Sequence, residues 1–464
     1  MIESKYAFLV IIVSCLTFQY FKHKNIQNQK FVSLLSYFED LSMVNKETNE
    51  DIKFLVGFES IKYSIFKNFN LSDDENVKKS ICFSVIETLD DLKCALFKAR
   101  KSDFTLKFYV KNDTLFKLVL DNNERTVHSQ RLSGSGVNFA RQLAYLKHTK
   151  VILASRLDKN SLKLIPNNIK VVSVSESGKK LGFRKFGTIV HYGENRKAIF
   201  DRAGLKTILD DLDLINSALI NDLNPHCIVI GRFPFFRNDF IGRVSDSLEY
   251  FTHFLSSVPA GIIIHHQLGA MDNVDAGKFL VKRFISHLDS IDLGLQELHQ
   301  LHSLIRKGDL NTTEYTSDIE TTLSILQDVW NILNSGSFSV RSGTRKISRI
   351  HLQAHDYHIL LTNPDNQMFY TNLKYALAKG LMAQLQARCN RKLSVLREIV
   401  HFHLEDEFFT SNNLTESPIQ CWNVIHMYDI CVSPVPTCFE LKHPLEKGES
   451  TAAAALAAQI KLPL

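Results

Sequence analysis

The chain has no pair of cysteines at CxxC spacing, no run of five or more lysines and arginines, and no repeat or low-complexity linker. The first absence removes zinc-ribbon and thioredoxin-type redox readings. The second, with a net charge of only +6 over 464 residues, removes the basic stripe that a nucleic-acid binder needs. The third leaves nothing that divides residues 140–464 into independent domains. Glycine and proline, at 19 and 10 residues, show no excess. What remains is a folded globular chain, 45% hydrophobic and 22% charged, long enough to bury one large core or two moderate ones.

The N-terminus stands apart. Tyr6 to Phe21 carries no charge and is flanked by Lys5 and by Lys22-His23-Lys24. Residues 1–24 therefore read as a secretory signal or a membrane anchor, with a buried helix of the fold as the alternative. The expected location is the endoplasmic reticulum or the cell exterior, with membrane contact through this leader alone. Asn70, Asn112, Asn311 and Asn413 each open an Asn-x-Ser/Thr tripeptide, which fits that route weakly. The C-terminal Lys461-Leu462-Pro463-Leu464 is not a retention signal. Seven cysteines follow the leader, and one disulfide is expected among Cys389, Cys421, Cys431 and Cys438, its pairing unreadable.

Residues 25–80 are polar and irregular. Beyond them, short runs rich in β-branched residues predict strands at 151–154, 187–190, 227–230 and 261–264. Leu205, Ile208, Leu209, Leu212, Ile215, Leu219 and Leu223 share a helical face and predict a helix across 205–223. Further helices are expected through Phe279–Ile285, Thr322–Leu333 and Leu373–Ala387. Alternation of strand and helix predicts a three-layer α/β/α fold with a largely parallel sheet. Ligands in such folds sit at the C-terminal ends of strands. That directs attention to His265-His266-Gln267, to Gly294-Leu295-Gln296 and to the segment around Gly448.

Three segments in order resemble one family. Ser257 to Asn273 resembles the IPVHLELASMTN strand and turn of the ADP-dependent glucokinases. Ser290 to Leu301 resembles their SLGLNEQEL. Arg349-Ile350-His351, continuing through His355, Tyr357, His358 and Ile359, resembles their RIHFHTLVYHIL. The resemblance runs from about Phe54 to the C-terminus. It implies a ribokinase-like fold over residues 25–464, a small lid domain with elements within 60–215, and phosphoryl transfer from ADP to glucose with magnesium. ADP or AMP are the implied nucleotide partners.

Gly448-Glu449-Ser450-Thr451 resembles the opening of the family's GDAISAAGL helix. Gly448, Ser450 and Thr451 would then supply the phosphate site, since amides at a helix N-terminus bind anions. An ordinary capped helix is the structural alternative. Glu449 takes the place of the proton-accepting aspartate, and its extra methylene moves the carboxylate by about 1 Å, a displacement that can cost ~10²-fold in rate. If the register slips, Glu446 or Ser450 occupies that position instead.

The remaining family positions are altered. Gln267 replaces the glutamate of HLEL and His299 the last glutamate of NEQE, so two of three magnesium-linked carboxylates are missing and magnesium retention is doubtful. Glu297 survives beside them but points differently. On the sugar side Asn138 keeps part of GGNA, His191 stands where LILEY has its glutamate, and the NANVD run after Val56-Gly57-Phe58 is gone. Sugar binding is therefore doubtful. His351, His355 and His358 read as structural residues of a strand rather than a metal set. The combined expectation is a catalytically impaired relative kept for binding or regulation. The alternatives are an active sugar phosphotransferase using Glu449 as base, or a lumenal interaction protein without ligand.

Overall fold

The computed structural model describes residues 37, 40, 51–57, 61–67, 85–101, 106–110, 112–121, 129–157, 159–172, 186–191, 197–201, 214–233, 240–271, 273–310, 318–335, 345–369, 372–388, 419–424, 427–435 and 449–460. The leader at 1–24, Asn70, Asn311, Asn413, Cys389, Cys438 and Gly448 lie outside the described residues. Among the described residues, no helix is long and apolar enough to cross a membrane. The chain forms two compact units, one of residues 48–352 with 460–464 and one of 353–459 with the N-terminal 47 residues.

The larger unit holds two sheets. Its main sheet uses β1 (Ile52–Gly57), β6 (Thr149–Ala154), β7 (Ile169–Val172), β10 (Cys227–Ile230), β11 (Ile263–Gln267), β12 (Ser290–Gly294) and β13 (Arg349–Gln353). They run in the order β13-β12-β11-β10-β1-β6-β7. The pairs from β12 across to β7 are all parallel. A parallel strand covered on both faces needs apolar residues at consecutive positions. Cys227-Ile-Val-Ile230 meets this demand, all four side chains being buried. Helices Ser135–Ala144 and Leu295–Lys307 pack beside these strands.

The second sheet uses β2 (Ile61–Lys67), β3 (Val85–Ile86), β4 (Leu106–Val110), β5 (Ser129–Ser133), β8 (Phe186–His191) and β9 (Lys197–Asp201). Its order is β3-β4-β9-β8-β2-β5, with β5 antiparallel to β2, β8 antiparallel to β9, and the other pairs parallel. Helix Leu89–Lys101 begins with reciprocal bonds between Thr88 and Asp91. It then buries Leu92, Ala95, Leu96 and Ala99 in a cluster with Phe108, Val110 and Val190. Asn112, one of the four tripeptide asparagines, caps helix Asp113–Asp121 by accepting from Thr114 N at 2.9 Å.

The smaller unit holds β14 (Tyr357–Thr362), β15 (Gln420–Val424) and β16 (Tyr428–Pro434), all antiparallel, with β16 central. Helix Leu373–Arg388 lays Leu373, Ala376, Leu377 and Leu381 against Leu360, Ile419 and Cys431. Cys421 and Cys431 are register partners on β15 and β16 and form the disulfide that the sequence leaves unpaired. Cys94, in the other unit, is also disulfide-bonded.

Three expectations are corrected. The strand expected at 261–264 begins two residues later and extends to Gln267, so His265, His266 and Gln267 lie in β11 rather than after it. Turn geometry explains the shift: Ile262 N donates to Pro259 O at 3.0 Å, and Arg345 holds the carbonyls of Val258, Pro259 and Ile262. Of the helix expected over 205–223, residues 205–213 lie outside the described residues, 214–216 are not helical, and the helix runs from Ser217 to Leu223. Asn216 interrupts it as an extended cap whose side chain accepts from Leu219 N at 2.9 Å. The stretch read as irregular before residue 80 contains β1 and β2, which pair within these two sheets.

Candidate functional site

Parallel registry decides which side chains share a face. His265 pairs with Ser290 and Gln267 with Asp292, so these four occupy one face of β11 and β12. Arg349 and His351 of β13 reach the same group. Arg349 Nη1 donates to Asp292 Oδ1 at 2.9 Å and to Ser290 Oγ at 3.1 Å. His351 Nδ1 and His265 Nε2 each lie 3.4 Å from an Asp292 oxygen, and His265 Nδ1 meets Ser290 Oγ at 2.9 Å. Phe139, from helix Ser135–Ala144, packs against the His265 ring at 5.6 Å.

All six side chains of this face are buried. Burial alone would raise the Asp292 carboxyl, but the contacts of His265, Arg349 and His351 together hold it well below the usual carboxylate range. Burial pushes the imidazoles of His265 and His351 down, against the pull of Asp292. The cluster is thus one carboxylate and one guanidinium with two neutral rings. On the opposite face, His266 sits between Phe233 and Phe284 with Nδ1 on Ile230 O at 3.1 Å. Burial, only partly opposed by that bond, lowers it to about 3.

The turn after β11 is fixed from two sides. Gln300, in helix Leu295–Lys307, accepts from Met271 N and donates to Met271 O, both at 2.8 Å. Asn273 then caps helix Val274–Phe279 by accepting from Ala276 N at 2.8 Å. Glu297, the carboxylate that survives in the NEQE-like motif, accepts from Gly294 N at 3.2 Å and so caps its own helix. His299 lies in the first half of the same helix and is half-buried.

On the sugar side, Asn138 is buried in helix Ser135–Ala144 and donates to Ser133 Oγ at 3.1 Å. His191 is the last residue of β8. In the smaller unit, Glu449 opens helix Glu449–Gln459 and is buried, as are Ser450 and Thr451. Thr451 Oγ1 donates to Gln384 Oε1 at 2.6 Å, which commits that hydroxyl to helix packing rather than to a ligand. A Cβ on Gly380 would meet Thr451 O at 2.9 Å, so glycine is what lets the two helices approach. His351 lies in β13, His355 in an exposed turn and His358 buried in β14. A cleft of about 330 Å³ lined by Asn372, Lys374, Cys421, Trp422 and Asp429 shares no lining residue with the catalytic, phosphate, sugar or metal positions singled out from the sequence.

Magnesium is held by hard, mostly anionic oxygens, and the donor set on the β11–β12 face does not fit it. Gln267 brings a neutral oxygen, which has no hydrogen-bond partner among the described residues, and the neighbouring carboxylate already carries a guanidinium. Asp292 and Gln300 are structural positions that sequence reasoning did not single out, and Arg349 was read only as the start of a family-like segment. The signal for Gln300 was its burial-prone place on the inner side of a helix; for the Asp292–Arg349 pair, separated by 57 residues, there was none.

The chain matches the ADP-specific phosphofructokinase/glucokinase conserved region over residues 59–457. It is similar to the structure of the last common ancestor of ADP-dependent phosphofructokinases from Methanosarcinales. Identity is 13% and the TM-score 0.65, over 95% of this chain and 99% of that one. An ADP-dependent kinase in complex with fructose-6-phosphate and ADPβS gives 13% identity and a TM-score of 0.66, over 91% and 96%. A phosphofructokinase from Pyrococcus horikoshii OT3 with AMP gives 13% and 0.61, over 89% and 98%. No curated protein matches the sequence significantly. The chain belongs to the ADP-dependent phosphofructokinase/glucokinase family and has its ribokinase-like α/β fold.

Proposed function

We propose that this chain binds an adenine nucleotide and has lost most of the phosphoryl-transfer capacity of its family. The observation that carries the reading is the charge state of the β11–β12 face. Gln267 offers a neutral amide oxygen, and the one carboxylate beside it, Asp292, is committed to Arg349. Transfer from ADP to a sugar hydroxyl needs a proton acceptor and cationic neutralisation of the phosphates. His299 and Gln267 stand at two positions where the resemblance implies carboxylates.

The sugar side supports the same reading for both glucose and fructose-6-phosphate. Asn138 is already paired with Ser133, and His191 stands at a position where the resemblance implies a glutamate. Nucleotide binding is favoured by solved relatives described with ADPβS and AMP. We read the six-stranded sheet of residues 61–201 as the lid. The Cys421–Cys431 disulfide and the disulfide-bonded Cys94 support an oxidising compartment such as the endoplasmic reticulum or the cell exterior.

One observation favours a second reading. Glu449 retains a buried carboxylate in the first turn of its helix, which suits a base in a residual sugar phosphotransferase. A thermal-shift titration with ADP and AMP tests the binding half of the proposal, because a ligand that binds only the folded chain must stabilise it. A saturable shift is expected. No shift with either nucleotide would leave a protein that uses the α/β body for interaction alone. The triple change Gln267→Glu, His299→Glu and Glu449→Asp tests the other half, by asking whether restored carboxylates restore turnover.

A further inference from the structure

Among the described residues the β11–β13 face contains a single carboxylate, and one of its oxygens is paired with a guanidinium. Asp292 Oδ1 accepts from Arg349 Nη1 at 2.9 Å and lies 3.4 Å from His351 Nδ1; its other oxygen lies 3.4 Å from His265 Nε2. The guanidinium cannot lose its proton, so the positive charge at this carboxylate is permanent. A divalent cation brought to Asp292 would meet that charge at contact distance. Ser290 Oγ is likewise engaged, by Arg349 Nη1 at 3.1 Å and His265 Nδ1 at 2.9 Å.

Gln267 Oε1 is an uncharged acceptor on this face. It belongs to the last residue of β11, where ligands meet parallel strands, and like Asp292 Oδ2 it is buried with no hydrogen-bond partner among the described residues. Buried acceptors are rarely left so, and the vacancy calls for a donor rather than a cation. Leu268 N, the next backbone donor, is already bound to Asp292 O at 2.8 Å.

We propose that Gln267 Oε1 is a metal-independent contact, accepting a hydrogen bond from an O–H group of the bound ligand, with no divalent cation between them. The internal Arg349–Asp292 pair takes over the charge balance of the face. The ligand-binding part rests on the nucleotide reading above; the exclusion of a cation does not.

Two measurements on the full chain separate these parts. Electron paramagnetic resonance with Mn²⁺ alone reads cation binding without any nucleotide. The expected result is no bound-manganese signal that responds to Gln267→Leu or to Asp292→Asn. A bound signal that is lost in either variant overturns the proposal. In the second measurement, ADP, AMP, glucose and fructose-6-phosphate are titrated by thermal shift in magnesium and in EDTA. At least one probe is expected to bind with equal affinity in both, and about fivefold more weakly in Gln267→Leu, the loss expected of one hydrogen bond. Because Gln267→Leu removes an unpartnered buried oxygen, the ligand-free variant is expected to be no less stable than the parent. Binding that needs magnesium, with a requirement abolished by Gln267→Leu, overturns the proposal, as does unchanged affinity in that variant. If no probe binds, the nucleotide reading and the O–H contact both fail, and the manganese result alone decides whether the face excludes cations.

Discussion

Arg349 Nη1 donates to Asp292 Oδ1 at 2.9 Å, and both side chains are buried within the sheet. A buried pair of this kind adds little net stability over apolar residues, but removing one partner strands the other. Arg349→Met is therefore expected to cost about 3–5 kcal/mol in urea unfolding. Pairing it with Asp292→Asn removes the stranded charge while keeping an acceptor for His265 and His351, and is expected to recover part of the loss. A cost below about 1 kcal/mol for Arg349→Met alone would show the pair to be solvated.

The buried imidazoles make stability depend on pH. His266 is lowered to about 3 by burial, while an unfolded histidine titrates near 6.5. The unfolded chain then binds more protons below pH 6.5, so the contribution is complete above that value and is lost as pH falls towards 3. Between pH 7 and pH 5 this group alone should remove about 2 kcal/mol. Subtracting the unfolding curve of His266→Phe from that of the parent isolates it. A difference that does not change over this range would contradict a neutral His266. His265 and His351 are lowered too and act in the same direction. Asp289 acts oppositely between about pH 4 and pH 6, since burial raises its carboxyl to about 6.

Gln300 clamps Met271 through both backbone groups at 2.8 Å. Gln300→Ala leaves a buried N–H and a buried C=O without their partner and is expected to cost about 1–3 kcal/mol. Hydrogen exchange at the Met271 amide should accelerate more than at β10 amides, because the turn opens locally. Uniform acceleration across both would contradict a local clamp.

The Cys421–Cys431 bond joins register partners across β15 and β16, ten residues apart in sequence. Replacing both cysteines with serine is expected to remove about 2–3 kcal/mol by relaxing the unfolded chain and the packing of Cys431 on helix Leu373–Arg388. The reduced parent should melt no higher than the variant, since reduction also opens the bond at Cys94. Equal Tm in the oxidised, reduced and substituted forms would contradict a stabilising role.

Legibility in the sequence followed locality. β6, β8, β10 and the helices Ile319–Asn334 and Leu373–Arg388 could be read because their apolar pattern is written in consecutive residues. β1 could not: six residues beginning Ile52-Lys53 look ordinary until β6 and β10 pair on either side. The resemblance located Gln267 and His299, and Glu297 turned out to cap its own helix. What sequence could not supply was pairing across distance. Arg349 finds Asp292, and Cys421 finds Cys431 among four late cysteines, only through strand registry. The charge of the β11–β12 face was therefore half legible: the missing glutamate was visible, the neutralised aspartate beside it was not.

The most direct test of the account is the release of AMP from ADP by the purified full chain, with magnesium and either glucose or fructose-6-phosphate. The account predicts no sugar-dependent AMP above the protein-free control, under conditions in which ADP measurably stabilises the fold. Sustained AMP release that requires the sugar and disappears in Glu449→Gln would contradict it, and would make Glu449 the working base of an active kinase.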